Sequence, residues 1–155
     1  MKNTNPKARV VIAGGNGFLG KALAEALDKE DYEVIILTRN PESYAGAGTA
    51  VRWDGKTVEE RWVKHLEGAH ALVNLTGKSV ECRQTSKNRE EILLSRVEPL
   101  KTLGDALRLV YRPPAVWVQA ASLAIYGDAG DRLCEESAFV PDAYPSDVCV
   151  AWEEA

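Results

Sequence analysis

Three glycines spaced three apart, Gly14, Gly17 and Gly20, stand where an apolar run gives way to a helical one, in "VIAGGNGFLG" at residues 11 to 20. A core strand entering a helix has no need of glycine at every third position. Glycine is used where the main chain must turn with positive φ, or where another group must come close to it. The flanking segments decide what this spacing means. "ARVVIAG" (8–14) is short, β-branched and closed by glycine, which predicts a buried strand. From residue 18 to about 29, Phe18, Leu19, Ala22, Leu23, Ala26 and Leu27 fall on one face of a predicted helix.

Between a strand and a helix, this spacing matches the turn that holds a dinucleotide diphosphate. Gly14 is expected to make the tight turn. Gly17 leaves bare main chain for a pyrophosphate, and Gly20 lets the helix pack closely. Asn16 lies in the same loop, and the free N–H groups around Phe18 and Leu19 face the phosphates at the positive end of the helix dipole. The alternative is a glycine-rich turn with no ligand.

The rest of the chain repeats the strand–helix alternation. "YEVIILTR" (32–39), "GTAVRWD" (48–54), "AHALVNLTG" (69–77) and "AVWVQAAS" (115–122) read as four more strands. Residues 57–67 suit a helix. A longer one is predicted from 86 to 111 on the spacing of Leu93, Val97, Leu100, Leu103, Leu107 and Val110, stopped by Pro113-Pro114. A last helix is predicted to begin near Ser146 and to run through Ala155. Alternation of this kind implies parallel crossovers. The expected fold is an α/β, Rossmann-type, doubly wound parallel sheet of strand order 3-2-1-4-5, with a ligand across the switch point. The whole chain, 1–155, is expected to be one NAD(P)-binding domain.

The end of the second strand bears on cofactor choice. An acidic residue there would bind both ribose hydroxyls of NAD. This chain has Thr38-Arg39, and a guanidinium can fork onto a 2′-phosphate. NADP is therefore expected over NAD, the alternative being a solvated surface arginine. Asp54, after the third strand, either accepts from an adenine amino group or caps its own loop.

Composition narrows the remaining classes. The formal net charge of −4 argues against a nucleic acid or an acidic membrane as partner. No apolar run approaches the ~20 residues of a membrane span, and the N-terminus shows no leader-type apolar region. Cys82, Cys134 and Cys149 are odd in number and far apart, and His65 and His70 do not cluster with them. Neither a disulfide framework nor a metal site is expected, which fits a cytoplasmic protein.

Five stretches, "GGNGFLG", "LTRNP", "NLTG", "SLAIYGD" and "CVAWEEA", together resemble the extended short-chain dehydrogenase/reductase group, the NAD(P)-dependent epimerase/dehydratase family. Thr38-Arg39, Trp53-Asp54-Gly55, Asn74-Leu75-Thr76-Gly77, Glu91 with Ser95-Arg96, and Trp152-Glu153 are similar to an atypical nucleoside-diphosphate-sugar epimerase branch of it. The resemblance implies that Leu75, Thr76 and Gly77 pass beside the ribose and nicotinamide end. It also implies that Glu91 and Arg96 reach the cofactor from the long helix; the alternative is that both are helix-surface charges. It implies a nucleotide sugar or similar small molecule as substrate, and that the chain is about half of a family-type protein, ending before the substrate region. The long helix is often a dimer interface in the group, so its apolar stripe either forms a homodimer or packs on the sheet.

The resemblance also sets an expectation about catalysis that this sequence does not meet in full. Such enzymes use a Ser and a Tyr-x-x-x-Lys pair, in which the Lys lowers the Tyr pKa. The five tyrosines here are followed at i+4 by Ile36, Gly48, Ala115, Gly130 and Val148, none of them Lys. Ser122 and Tyr144 are the nearest candidates for catalytic roles, with Cys149 read as core. Two functions follow: an NADP-dependent oxidoreductase or epimerase-like enzyme, or a non-catalytic NADP-binding sensor or regulator.

Overall fold

The computed structural model describes residues 7–155; residues 1–6, part of the N-terminal stretch read above as carrying no leader, lie outside the described residues. Five strands, β1 (Arg9–Ala13), β2 (Glu33–Thr38), β3 (Thr49–Arg52), β4 (Ala71–Asn74) and β5 (Val116–Gln119), form one all-parallel sheet in the order β3-β2-β1-β4-β5. β1 is central: Val11 aligns with Ile35 on one side and Leu72 on the other.

Helices cover both faces, which is why β1 and β2 read as unbroken apolar runs. Side chains alternate across the sheet. Val11, Ala13, Ile35, Leu37 and Leu72 meet Trp53, Trp62, Leu66, Leu103 and Ala106 on one face. Val10, Ile12, Val34, Ile36 and Val73 meet Ala24 and the half-buried Leu23 and Leu27 on the other. The helices are α1 (Phe18–Lys29), α2 (Glu60–Val63), α3 (Ser86–Leu107) and α4 (Tyr144–Glu153).

Four details differ from the sequence reading. The buried face of α1 is Gly20, Leu23, Ala24 and Leu27, while Phe18, Leu19, Ala22 and Ala26 are exposed. Gly20, having no side chain, comes closest to the strand–helix corner, and this turns the helix away from the larger residues beside it. α2 is one turn rather than the helix expected over 57–67, because Asp54 draws residues 54–57 into a separate capped turn.

α3 ends at Leu107, short of the two prolines. Its most buried row is Ile92, Pro99, Thr102, Leu103 and Ala106; Leu93, Val97 and Leu100 are half-buried beside it. Its C-terminal stretch therefore packs on the sheet through Leu103, Ala106 and Leu107, joined by Val110 just beyond its end. α4 begins at Tyr144, with Pro145 in its first turn, and closes at Glu153 rather than running through Ala155. Glu154 caps it, its N–H donating to the Val150 carbonyl at 2.9 Å.

β5 is the least covered strand. Val116, Trp117 and Val118 are all exposed, so both of its faces and its outer edge are open.

Candidate dinucleotide-binding site

A cavity of about 720 Å³ opens at the carboxyl ends of β1, β2, β3 and β4. This is the switch point, where the connections leaving β1 and β4 run in opposite directions and leave a crevice above the sheet. The β1–α1 turn forms its floor. Gly14 has φ +76, and a Cβ there would lie 3.0 Å from the Leu75 carbonyl carbon and the Thr76 nitrogen. A Cβ on Gly20 would lie 2.4 Å from Gly15 Cα, and one on Gly15 would lie 2.7 Å from Ile36 Cδ1. These three glycines are required by the chain's own packing.

Gly17 is different. Its φ is −75, open to any residue, and a Cβ there would meet only the Gly14 carbonyl oxygen at 3.4 Å. Gly17 is the N-cap of α1 and supplies no side-chain cap, and the first turn carries no acidic residue. The Lys21 N–H bonds the Gly17 carbonyl, whereas the N–H groups of Phe18, Leu19 and Gly20 have no partner among the described residues. Free amides at the positive end of α1 beside an unfilled glycine make a site for an anion. Gly14, Asn16 and Gly17 line the cavity; Phe18 and Leu19 stand beside it with exposed side chains, and Gly20 lies buried beneath.

Thr38 and Arg39 reach the cavity wall from β2. The Arg39 side chain makes no hydrogen bond or ion pair among the described residues, while its carbonyl accepts from Arg52 Nη1 at 3.0 Å. Arg52 is itself paired with Glu42. A smaller hollow of about 400 Å³ adjoins here, lined by Arg39, Arg52, Trp53, Asp54, Glu59 and Arg61. Asp54 takes the loop-capping role: Oδ1 accepts from the Lys56 and Thr57 N–H groups at 2.8 Å each, and Oδ2 from the Thr57 hydroxyl at 2.7 Å. These bonds, the Lys56 N–H foremost, hold its carboxyl below the usual range. The loop is tied to α3 by Lys56–Glu98 at 2.9 Å and packs near Pro99.

The opposite wall is the β4–α3 connection, with Leu75, Thr76 and Gly77 at the cavity. Asn74, fully buried, holds it: Oδ1 accepts from the Thr76 N–H and hydroxyl at 3.1 and 2.7 Å, and Nδ2 donates to Gln119 Oε1 at 2.9 Å. Glu91 lines the cavity from α3, paired with Lys78 at 2.5 Å. The Lys78 ammonium holds the Glu91 carboxyl below its ordinary value.

Arg96 is placed elsewhere. It does not line the cavity; Nη1 donates to the carbonyls of Ile92 and Lys78 at 2.8 and 3.2 Å, and the guanidinium stacks over Trp152 at 5.3 Å. It braces the β4–α3 loop from beneath. Ser122 and Tyr144 also lie off the cavity. The Ser122 hydroxyl accepts from the Ala124 N–H at 3.2 Å and caps a short turn. The Tyr144 hydroxyl donates to the Arg89 carbonyl at 2.9 Å, and burial raises its pKa above the usual phenol value. Cys149 is buried in α4, as its core reading expects, and burial pushes its thiol up. Among the described residues no cluster of His, Cys, Asp and Glu could hold a metal ion, and no helix is long and apolar enough to cross a membrane.

Sequence reasoning missed Lys78, Asn88 and the Lys56–Glu98 tie. Lys78 directly follows the "NLTG" stretch, but only the docking of α3 against the loop shows what it touches.

The family model for the NAD dependent epimerase/dehydratase family matches residues 10–148. The chain belongs to that family. The epimerase family protein YfhF of Bacillus subtilis is 30% identical over 149 residues, covering 94% of this chain and 48% of its own length. The crystal structure of human epimerase family protein SDR39U1 with NADPH superposes with a TM-score of 0.76 at 28% identity, covering 94% of this chain and 48% of that one. A nucleoside-diphosphate sugar epimerase from Corynebacterium glutamicum has a TM-score of 0.74 at 29% identity, covering 96% of this chain and 30% of that one. The chain thus spans less than half the length of these relatives. Membership accounts for the sheet order and for a cavity built on glycines at the switch point.

Proposed function

We propose that this chain is the cofactor-binding part of an oxidoreductase or epimerase that uses NADP(H) and acts on a nucleotide sugar or a similar small molecule. The observation that carries this reading is Gly17: nothing within the fold requires glycine there, yet it sits at the uncapped end of α1. A ligand that must touch main chain accounts for it. The amides of Phe18 and Leu19 bind the diphosphate, and Arg39, with no partner of its own, meets the 2′-phosphate. Leu75, Thr76 and Gly77 border the second nucleoside. A bound nicotinamide ring supplies reversible hydride transfer. The NADPH held by the human relative supports the cofactor, and the Corynebacterium relative supports the substrate class.

Titration of the intact protein with NADPH and NADH tests the reading. Arg39→Ala is expected to weaken NADPH by about tenfold or more, the worth of a hydrogen bond to a charged group, and to leave NADH nearly unchanged. Equal losses would remove the preference for NADP.

One observation favours a second reading, a non-catalytic NADP-binding sensor or regulator. Ser122 and Tyr144 are occupied by main-chain partners away from the cavity. Tight NADPH binding without turnover across nucleotide sugars and simple carbonyls would select it.

A further inference from the structure

We infer that Arg52 is a second ligand of the cofactor's 2′-phosphate, beside Arg39, and that Glu42 competes for it and so sets how strongly this chain prefers NADP(H) to NAD(H). The inference rests on reading the cavity as a dinucleotide site with the 2′-phosphate at Arg39. Neither Arg52 nor Glu42 belongs to the stretches that carry the family resemblance, and only the fold brings them to this place.

A phosphate monoester carries a charge of about −1.5 to −2 near neutrality, more than the single guanidinium of Arg39 offsets. The hollow of about 400 Å³ that adjoins Arg39 holds two further guanidiniums, Arg52 and Arg61, and two carboxylates, Asp54 and Glu59. Asp54 is taken up by Lys56 and Thr57, and Arg61 pairs with Glu59 at 2.6 Å. Arg52 pairs with Glu42, which does not line the hollow.

Arg52 is the guanidinium tied to Arg39. Thr38 and Arg52 are register partners on β2 and β3, and the Trp53 N–H donates to the Thr38 carbonyl at 2.9 Å. Arg52 Nη1 then donates to the Arg39 carbonyl at 3.0 Å. Nη2 goes to Glu42, and the Nε–H has no partner among the described residues. Nε and Nη2 form the side-on fork of a guanidinium, which takes two oxygens of one phosphate while Nη1 stays on the Arg39 carbonyl. Trp53, buried and 5.4 Å from Trp62 between ring centroids, lines the same hollow. An apolar wall of this kind strengthens the attraction between charges in front of it.

Glu42 is the easier carboxylate to displace. Its side chain is 71% exposed, against 39% for Glu59, so it returns to water at small cost. A phosphate dianion, with more charge than one carboxylate, wins the fork. Breaking the Arg52–Glu42 pair then subtracts from NADPH affinity and leaves NADH affinity alone. Arg52 raises the preference for NADP(H), and Glu42 holds that preference below its ceiling.

The test titrates the intact protein with NADPH and NADH and reads the ratio of the two affinities. Arg52→Gln is expected to lower the ratio about fivefold through NADPH alone, the upper range for a partly exposed charge pair. Arg52→Lys, which keeps the charge and loses the fork, should recover part of it. Glu42→Gln is expected to raise the ratio severalfold, and to do nothing in the Arg52→Gln background. Melting curves for each variant register any general damage to the fold. A ratio unchanged in Arg52→Gln overturns the inference and makes the pair a clip on the turn after β2. So does an equal loss of both nucleotides, or a ratio that falls in Glu42→Gln. A preference for NADPH that Arg39→Ala abolishes and Arg52→Gln spares overturns this inference and leaves the NADP reading standing. A wild type without that preference overturns the NADP reading, and the role of Arg52 with it.

Discussion

The carboxyl ends of β1, β2 and β4 contrast with the β5–α4 region on the same sheet. At the first, the strands beneath are buried on both faces, while groups are left free: Arg39 and Glu91 line the cavity, and three N–H groups of α1 stand beside its Gly17. At the second, the polar groups proposed for chemistry have partners within the chain, and the apolar ones are bare. Ser122 and Tyr144 bond main chain, whereas Val116, Val118, Leu123 and Phe139 face solvent. A rigid core that leaves polar groups unpaired at its rim is arranged to receive a ligand. On the β5–α4 side Ser122 and Tyr144 have main-chain partners and the side chains left open are apolar.

The contrast is broken most directly at the glycines. Gly20→Ala places a methyl 2.4 Å from Gly15 Cα, where only main chain could yield. A loss of about 3 kcal/mol, roughly a 10 °C drop in melting temperature, is expected in thermal denaturation. Gly17→Ala has nothing within 3.4 Å and a permissive φ. Its melting temperature should match wild type within about a degree, since exposed substitutions away from special features stay within about 0.5 kcal/mol. Its NADPH affinity should fall by about tenfold or more, measured by fluorescence titration. A Gly17→Ala protein that binds NADPH normally would leave the first region as mere structure and erase the contrast.

These two glycines also show what the sequence could disclose. The turn was legible because a main-chain requirement is written in one residue type, and glycine leaves few alternatives. The parallel sheet followed from alternation, and its strand order from the dinucleotide-fold pattern that the glycine turn implies. The cavity-lining Thr38 and Arg39 were legible from their place at the end of β2, and Leu75, Thr76 and Gly77 from the family resemblance. Residues acting through a packed partner were not legible. Arg96 reads from the sequence as a cofactor contact or a helix-surface charge, and only the docking of α3 discloses its bonds to the Ile92 and Lys78 carbonyls. Lys78 carries no motif, and its role depends on Asn88 and Glu91, residues brought to it by the fold. The exposed side of α1 was misjudged for a related reason: periodicity counted Phe18 and Ala22 as core, but the closest approach is made by Gly20, which has no side chain to count.

Tyr144 sharpens the contrast from the other side. If its hydroxyl only ties α4 to the Arg89 carbonyl, Tyr144→Phe removes one neutral hydrogen bond, costs about 1 kcal/mol in denaturation and leaves NADPH affinity unchanged. Its phenol, raised above the usual value by burial, should also be the tyrosine that Tyr144→Phe removes from the upper end of a spectrophotometric titration. A tenfold loss of affinity would instead move α4 to the cofactor side.

The smallest effect concerns the Lys78–Glu91 pair and is read against pH. Lys78 lowers the Glu91 carboxyl below its unfolded value, so the folded state binds the Glu91 proton less readily than the unfolded chain. Whatever the pair adds to stability is present above the ordinary carboxylate pKa of about 4.3 and is lost as the pH falls through the lowered folded value. The difference in melting temperature between wild type and Glu91→Gln should therefore be widest near neutrality and close under acid conditions. It should also shrink with added salt, because both side chains are partly exposed. A difference that persisted unchanged in acid would show that Glu91 acts by packing rather than by charge, and would leave the rim of the cavity without the free carboxylate that sets it apart from the β5–α4 side.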